Sequence, residues 1–309
     1  MYNEKYNLIT ILGPTASGKT AVAAKVASIL GGEVISADSR QVYRGMDLGT
    51  GKDYADYIVE GKPVPYHLID IVDAGYEYNV YEYQKDFLSV FAEMQANGKL
   101  PVMCGGSGLY LEAVLKNYKL IQVPINEKLR EELDDKQLYE LADILRSYKH
   151  YMHNQTDIES VKRAVRAIEI EEYYLNHPEI DTGMPEIRSL VVGVKFDRLS
   201  RRKRITSRLK QRLNEGMLDE VQHLLDSGLT PEQLTYYGLE YKYMTLHLTG
   251  KLSYQEMFET LNVAIHQFAK RQMTWFRRME KQGTEIRWLD GYMPIEEKME
   301  RILNWYREK

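Results

Sequence analysis

The chain has 309 residues, a formal net charge of −4 and 44% hydrophobic residues. That length fits one large domain or two smaller ones around a sizeable core, and the slightly acidic balance excludes a globally basic nucleic-acid binder, so any polyanion contact must come from a local patch. A single cysteine, Cys104, excludes an intramolecular disulfide and a cysteine-based zinc site and suits a reducing cytoplasm.

The first residues, M-Y-N-E-K-Y-N, lack the positive segment and apolar run of a signal peptide. No run of about 18 apolar residues predicts a membrane span. Residues 8–12 (L-I-T-I-L) form a short apolar run of β-formers, followed by G-P-T-A-S-G-K-T and then the helix-forming A-V-A-A-K-V-A-S-I-L. Strand, glycine-punctuated loop and helix are the context that gives a Walker A match its meaning. Gly13, Pro14, Thr15, Ala16, Ser17 and Gly18 would cradle a diphosphate or nucleotide phosphate with backbone N–H groups at a helix N-terminus. Lys19 would reach terminal phosphate oxygens, and the Thr20 hydroxyl would meet Mg²⁺. The motif implies phosphate binding, including ATP, without distinguishing kinase, hydrolase or transferase.

Gly31-Gly32 ends that helix, and residues 33–37 read as a second strand. Asp38, Ser39, Arg40 and Gln41 then fall beyond its C-terminal end, where ligands of open parallel sheets bind. Asp38 is thereby a candidate base or metal ligand, a strand-end cap being the plainer alternative. Residues 43–57 predict loop, 65–72 a third strand, 78–97 a helix and 100–104 a fourth strand. That strand runs into G-G-S-G, whose Gly105, Gly106 and Gly108 permit close backbone approach and whose Ser107 offers a hydroxyl.

Composition changes near Lys119, and residues 120–188 have many charges, no clear strand and no glycine before Gly183. Residues 127–147 predict one or two helices, and 158–176 a helix with Ile158, Val161, Val165 and Ile168 on one face. This reads as a helical insertion. Strand character returns at 189–196, and residues 198–212 then carry eight Lys or Arg and no acid. Solvated faces usually mix signs, so this helix suggests polyanion contact. Further helices are predicted at 214–227, 239–248, 254–280 and 294–309, with a late edge strand at 285–289. In the 254–280 helix, Lys270, Arg271, Arg277 and Arg278 interleave with Trp275 and Phe276. The 24 tyrosines against 6 phenylalanines read mostly as amphipathic packing residues, with base stacking as their other use.

Taken together, G-P-T-A-S-G-K-T, D-S-R-Q-V-Y-R-G-M-D-L-G-T, Y-H-L-I-D-I, G-G-S-G-L-Y, K-R-A-V-R-A-I-E-I, R-I-T-S-R and A-K-R-Q-M-T-W-F resemble the tRNA dimethylallyltransferase family in its bacterial form. The resemblance implies an α/β fold: a P-loop NTPase-like parallel sheet flanked by helices, at 1–118 and 189–309, with a helical insertion at 119–188. It implies transfer of a dimethylallyl group from dimethylallyl diphosphate to N6 of adenosine 37 in tRNA anticodon loops, with Mg²⁺, by a cytoplasmic monomer. By the same resemblance Asp38 is the general base, Ser107 bonds the bridging oxygen, and Lys19 and Arg208 neutralise the diphosphate. The tRNA would be met by Asp38, Ser39, Arg40, Gln41, Ser107, Arg130, Lys162, Arg163, Arg166, Lys270, Arg271, Gln272, Trp275 and Arg277. Five positions depart from the family pattern: Ser107 for threonine, which keeps the hydroxyl, Glu240 for a basic residue, His266 for arginine, and Glu159-Ser160 for Asn-Asp. These keep the chemistry residues and alter RNA-facing ones, as in a paralogue with changed RNA preference. Three alternatives stay open: a prenyltransferase of free AMP or ATP, which would not need the basic helices or the insertion; a small-molecule P-loop kinase, which lacks the D-S-R-Q block; and a non-catalytic RNA-binding protein, which would not need Lys19, Thr20 and Asp38.

Overall fold

The computed structural model describes residues 5–148, 158–177 and 185–308. They fall into two compact units, Met1–Tyr118 with Glu186–Lys309, and Lys119–Pro185.

The larger unit is built on β1 (Leu8–Leu12), α1 (Lys19–Leu30), β2 (Glu33–Ser36), the small hairpin β3 (Ile58–Val59) and β4 (Lys62–Pro63), β5 (Tyr66–His67), α2 (Val80–Ala96), β6 (Pro101–Gly105) and α3 (Gly108–Leu115). Helices α4 (Glu127–Leu133), α5 (Leu138–Tyr148) and α6 (Val161–Asn176) belong to the smaller unit. The larger unit resumes with β7 (Ser189–Lys195), α7 (Arg198–Asn214), α8 (Met217–Asp226), α9 (Pro231–Tyr236), α10 (Leu239–Leu248), α11 (Tyr254–Lys281), β8 (Arg287–Asp290) and α12 (Ile295–Arg307). The six main strands run parallel in the order β5-β2-β6-β1-β7-β8. The P-loop NTPase-like fold expected from the sequence is therefore the fold observed.

Strand β1 is buried along its whole length, as a central parallel strand covered on both faces must be. Its side chains alternate: Leu8 and Leu12 join a core with Phe87 and Phe91 of α2, and Ile9 and Ile11 join a second core with Val22 and Val26 of α1. Thr10 is the one polar side chain of the strand, and its hydroxyl pairs with Ser189 Oγ at 2.8 Å. Register places the functional loops side by side: Ile11 lies opposite Cys104, and Cys104 opposite Ser36. The chain after β1, β2 and β6 thus leaves the sheet at one level and one edge.

The expected third strand is the main departure. Only Tyr66 and His67 pair with β2, because Leu68 and Asp70 take left-handed backbone conformations, with φ of 59° and 56°. The turn sends Ile71 and Val72 to the carbonyl of Val42 instead of along the ladder. It also delivers the Asp70 carboxylate to the buried Lys52 ammonium and to Tyr54, whose hydroxyl donates to it at 2.5 Å. Helix α9 escapes the sequence reading, although Thr230 and Gln233 form a capping box around Pro231 at its first position. The β3–β4 hairpin and α3 fall where no element is predicted, and the remaining elements differ from expectation by a few residues at their ends.

The smaller unit has its own core, formed by Leu129, Leu133, Leu141, Leu145, Ala164 and Ile168. The buried face of α6 is rotated from the expected one: Ala164 and Glu169 are buried, whereas Val161 is exposed. Glu169 explains the rotation, since its buried carboxylate gathers Arg130, Arg166 and the Asn126 N–H. The parts of the expected insertion at 149–157 and 178–184 lie outside the described residues.

Candidate active site

The P-loop wraps the end of β1. Ala16 and Gly18 hold left-handed backbone conformations, with φ of 60° and 76°, and Gly18 caps α1 without any side-chain hydrogen bond. The first N–H groups of α1 are thereby left for an anion, at the positive end of the helix. Ser17 Oγ is buried with no hydrogen-bond partner among the described residues, as fits a hydroxyl facing a bound phosphate. Lys19 and Thr20 open the helix and are half-buried. Gly13 is required by packing: a Cβ there would sit 2.6 Å from both Ser17 Oγ and the Val194 carbonyl oxygen.

Asp38 follows β2 and is half-buried, its Oδ1 accepting from the Arg40 N–H at 3.1 Å in a tight side-chain turn. The next residue joins the neighbouring loop. Ser107 Oγ accepts from the Ser39 N–H at 3.0 Å and donates to Ser39 Oγ at 3.3 Å. This approach depends on Gly105, where a Cβ would lie 2.1 Å from the Ala37 carbonyl oxygen. Gln41 is engaged at both ends of its amide, accepting from Ser36 Oγ at 3.0 Å and donating to the Gly51 carbonyl at 3.1 Å. Arg40 lies over the Tyr236 ring at 5.3 Å.

Two long-range side chains brace these loops. Gln272 of α11, only 7% exposed, accepts from the Thr15 N–H at 2.9 Å and donates to the Gly106 carbonyl at 3.0 Å. It ties the P-loop to the G-G-S-G loop. Arg204 of α7 donates to the Ala16 carbonyl at 3.0 Å and stacks on Phe196. Arg204, Arg208 and Arg212, spaced by four, form one stripe along α7. Arg208 and Arg212 both pair with Asp53, the latter at 2.7 Å, and Arg212 also donates to the Leu48 carbonyl at 2.6 Å. Their segment, residues 47–53, is pinned from the other side by Glu220, whose carboxylate accepts from the N–H groups of Asp47, Leu48 and Gly49 at 2.7–3.0 Å and from the Tyr241 hydroxyl at 2.6 Å.

The electrostatics follow from this crowding. Burial, with Asp53 adding to it, pushes the Asp56 carboxyl above its ordinary pKa, against the pull of Arg208 and Lys19. Burial depresses the Arg208 guanidinium, and Arg212 beside it acts in the same direction. Burial raises Glu240, opposed by Arg212 and Arg208, which puts that carboxylate beside the same arginines. Cys104 backs the site, and burial pushes its thiol up to about 12, so it is not a nucleophile here. Asp53, Asp56 and Glu220 are functional candidates that sequence reasoning passes over, and Arg212 enters it only as part of the basic helix. The available signal is the K-D-Y-A-D segment, whose acids answer a helix with none.

The tRNA candidates separate into distinct surroundings. Lys270, Arg271 and Arg277 are exposed along α11. Gln272 is not exposed, and its amide holds the two loops, as described above. Trp275 is half-buried against Gly108, where a Cβ would lie 2.3 Å from its ring, and Arg278 stacks on it at 4.0 Å. His266 faces α7, its Nε2 3.2 Å from the Thr206 hydroxyl, and burial together with Arg202 depresses its pKa. In the smaller unit, Lys162 and Arg163 are exposed, Arg163 pairing with Glu159 at 2.6 Å. Arg130 and Arg166 meet at Glu169, and Arg166 also donates to the Val123 carbonyl at 2.8 Å. Among the described residues no three His, Cys, Asp or Glu side chains group to hold a metal, and no helix is long and apolar enough to cross a membrane. Thr20 remains the protein oxygen that fits Mg²⁺ in the P-loop manner, where phosphate and water oxygens supply most of the coordination.

Comparison with known proteins agrees with this fold. A family model described as IPP transferase matches residues 41–279. The chain is 59% identical to tRNA dimethylallyltransferase 2 of Phocaeicola vulgatus over 306 residues, covering 99% of each chain. Its structure is similar to that of the full-length tRNA isopentenylpyrophosphate transferase from Bacillus halodurans, with a TM-score of 0.71, 33% identity and coverage of 98% and 95% of the two chains. A eukaryotic dimethylallyltransferase crystallised in action on tRNA shares the fold, with a TM-score of 0.74 at 22% identity, over 92% of this chain and 73% of that one.

Proposed function

The chain belongs to the IPP transferase family, and from that premise we propose that it transfers a dimethylallyl group from dimethylallyl diphosphate to N6 of adenosine 37 in tRNA. The observation that carries this reading is the link from Asp38 to Ser107, made through Ser39 beside the phosphate loop. It sets a carboxylate and a hydroxyl at the mouth where β1, β2 and β6 end.

In the reaction the allylic carbon–oxygen bond breaks, the diphosphate leaves with the electron pair, and the N6–carbon bond forms. Charge develops on the leaving diphosphate. The P-loop N–H groups, Lys19 and Arg208 are the donors that meet it, with Arg208 held in place by Asp53. When bound, Mg²⁺ at Thr20 supplies further neutralisation of the diphosphate. Ser107 Oγ can rotate its hydrogen from Ser39 Oγ to donate to the bridging oxygen. Asp38 takes the N6 proton as general base. A base stacked in the anticodon loop cannot reach this mouth, so adenosine 37 is extruded, at a cost of a few kcal/mol. Exposed Lys162, Arg163, Lys270, Arg271 and Arg277 meet tRNA phosphates, whereas Arg130, Arg166, Gln272 and Trp275 act mainly as supports. The enzyme works as a monomer.

The test is incubation with dimethylallyl diphosphate, Mg²⁺ and an anticodon stem-loop bearing A36-A37, beside AMP alone and ATP alone. Prenylated stem-loop RNA is expected. Prenylated AMP without RNA product, or phosphoryl transfer from ATP, would overturn the proposal.

A further inference from the structure

We infer that Asp53 is a positioning residue for the transfer, holding Arg208, and through it the α7 arginine stripe, at the diphosphate side of the P-loop. The inference rests on the proposed role of Arg208 at the diphosphate. Arg208 and Arg212 are four residues apart on one helix, so two like charges lie on one face and repel. Lys19 adds a third cation nearby, as its influence together with that of Arg208 on Asp56 shows. Cations so close need an anion between them to keep one arrangement. Asp53 supplies it: one carboxylate oxygen pairs with Arg208 and the other with Arg212.

The backbone of the same segment completes the seat. Gly51 has φ of 83°, and a Cβ there would lie 3.0 Å from Arg212 and 3.2 Å from Arg208, so both guanidinium groups pack onto bare backbone. The Gly51 carbonyl accepts from Gln41, in the segment that begins with Asp38. Glu220 holds the amides of Asp47, Leu48 and Gly49 behind it. Asp53 is thus carried on a strap fixed at both the base side and the helix side. An ordinary half-exposed ion pair contributes little to stability. The value of this one lies in geometry. A guanidinium has five donors, and Asp53 engages one edge of Arg208, which leaves the remaining donors for a diphosphate.

The test is a double-mutant cycle of Asp53→Asn with Arg208→Lys, read as kcat and KM for dimethylallyl diphosphate on a stem-loop substrate. Asp53→Asn alone should lower kcat about tenfold, since small misplacements of a catalytic group cost up to about a hundredfold. KM should move less than about threefold and the melting temperature should stay near the parent value, as for a half-exposed pair. In the Arg208→Lys background the same change should have little further effect, because it acts through Arg208. Asp53→Glu should restore part of the rate. Multiplying losses, or a parental kcat for Asp53→Asn, would overturn the inference while leaving the prenyl-transfer reading intact. A parental kcat for Arg208→Lys would instead remove Arg208 from the diphosphate and overturn both its proposed role and this inference.

Discussion

Gln272 offers the sharpest structural perturbation. Truncation by Gln272→Ala removes the acceptor of the Thr15 N–H and the donor to the Gly106 carbonyl, at 2.9 and 3.0 Å. Both partners lie in loops, and the side chain between them is 7% exposed, so bulk water does not replace it freely. Each buried group left without a partner costs about 1–3 kcal/mol. A water admitted to the vacated space recovers part of that, which gives a net loss of about 2–4 kcal/mol. At roughly 2–4 °C per kcal/mol for a unit of this size, the melting temperature should fall by about 4–16 °C. The catalytic effect should be separable, because Thr15 belongs to the P-loop and Gly106 adjoins Ser107. Loosening one against the other should lower kcat by about 10- to 100-fold. Gln272→Glu keeps the acceptor for Thr15 but turns an oxygen toward the Gly106 carbonyl, so its rate should match or fall below that of alanine. Circular dichroism melts and single-turnover prenyl transfer read the two effects. If Gln272→Ala melts with the parent and turns over like it, the bracing role is wrong.

Other residues give equally direct tests. Asp38→Asn should lower the single-turnover rate by about 10²- to 10⁴-fold, while fluorescence anisotropy shows stem-loop binding close to the parent; an unchanged rate would remove Asp38 as base. Glu220→Gln loses the charge that attracts three N–H groups and should cost about 1.5–3 kcal/mol, seen as a lower urea midpoint at constant slope. Cys104 should resist iodoacetamide at pH 8 until urea opens the core, because its thiol is pushed up to about 12 by burial. Its raised pKa also means that its stability contribution is present below the unfolded thiol value of about 8.5 and is lost as pH climbs toward 12.

The elements nearest the phosphate chemistry are the most legible in sequence. Leu8–Leu12 and the loop after it combine an apolar strand, fixed glycines and a helix start, and each local signal agrees with the global fold. Asp38 and Ser107 are also readable, because a parallel sheet delivers its strand ends to one edge. What the sequence hides is pairing over distance. Nothing local marks Gln272 as a brace reaching across more than two hundred residues to Thr15, or Asp53 as the partner of two arginines on α7. The third strand fails for a related reason: Y-H-L-I-D-I-V has strand composition, but the Lys52 ammonium draws Asp70 out of the ladder. On α6, periodicity selects Val161 for the core, yet the buried Glu169 cluster sets the rotation. Charged side chains that are satisfied inside the protein defeat a reading based on apolar spacing alone.

The central claim is that the P-loop holds a diphosphate that leaves, in contrast to a phosphoryl group that transfers. A donor labelled separately in its dimethylallyl carbons and in its phosphorus tests this with one reaction. With the anticodon stem-loop as acceptor, the carbon label should appear on N6 of adenosine 37 and the phosphorus label as free diphosphate, in equal amounts. Phosphorus label in the RNA, or release of diphosphate without carbon label in the RNA, would contradict the account.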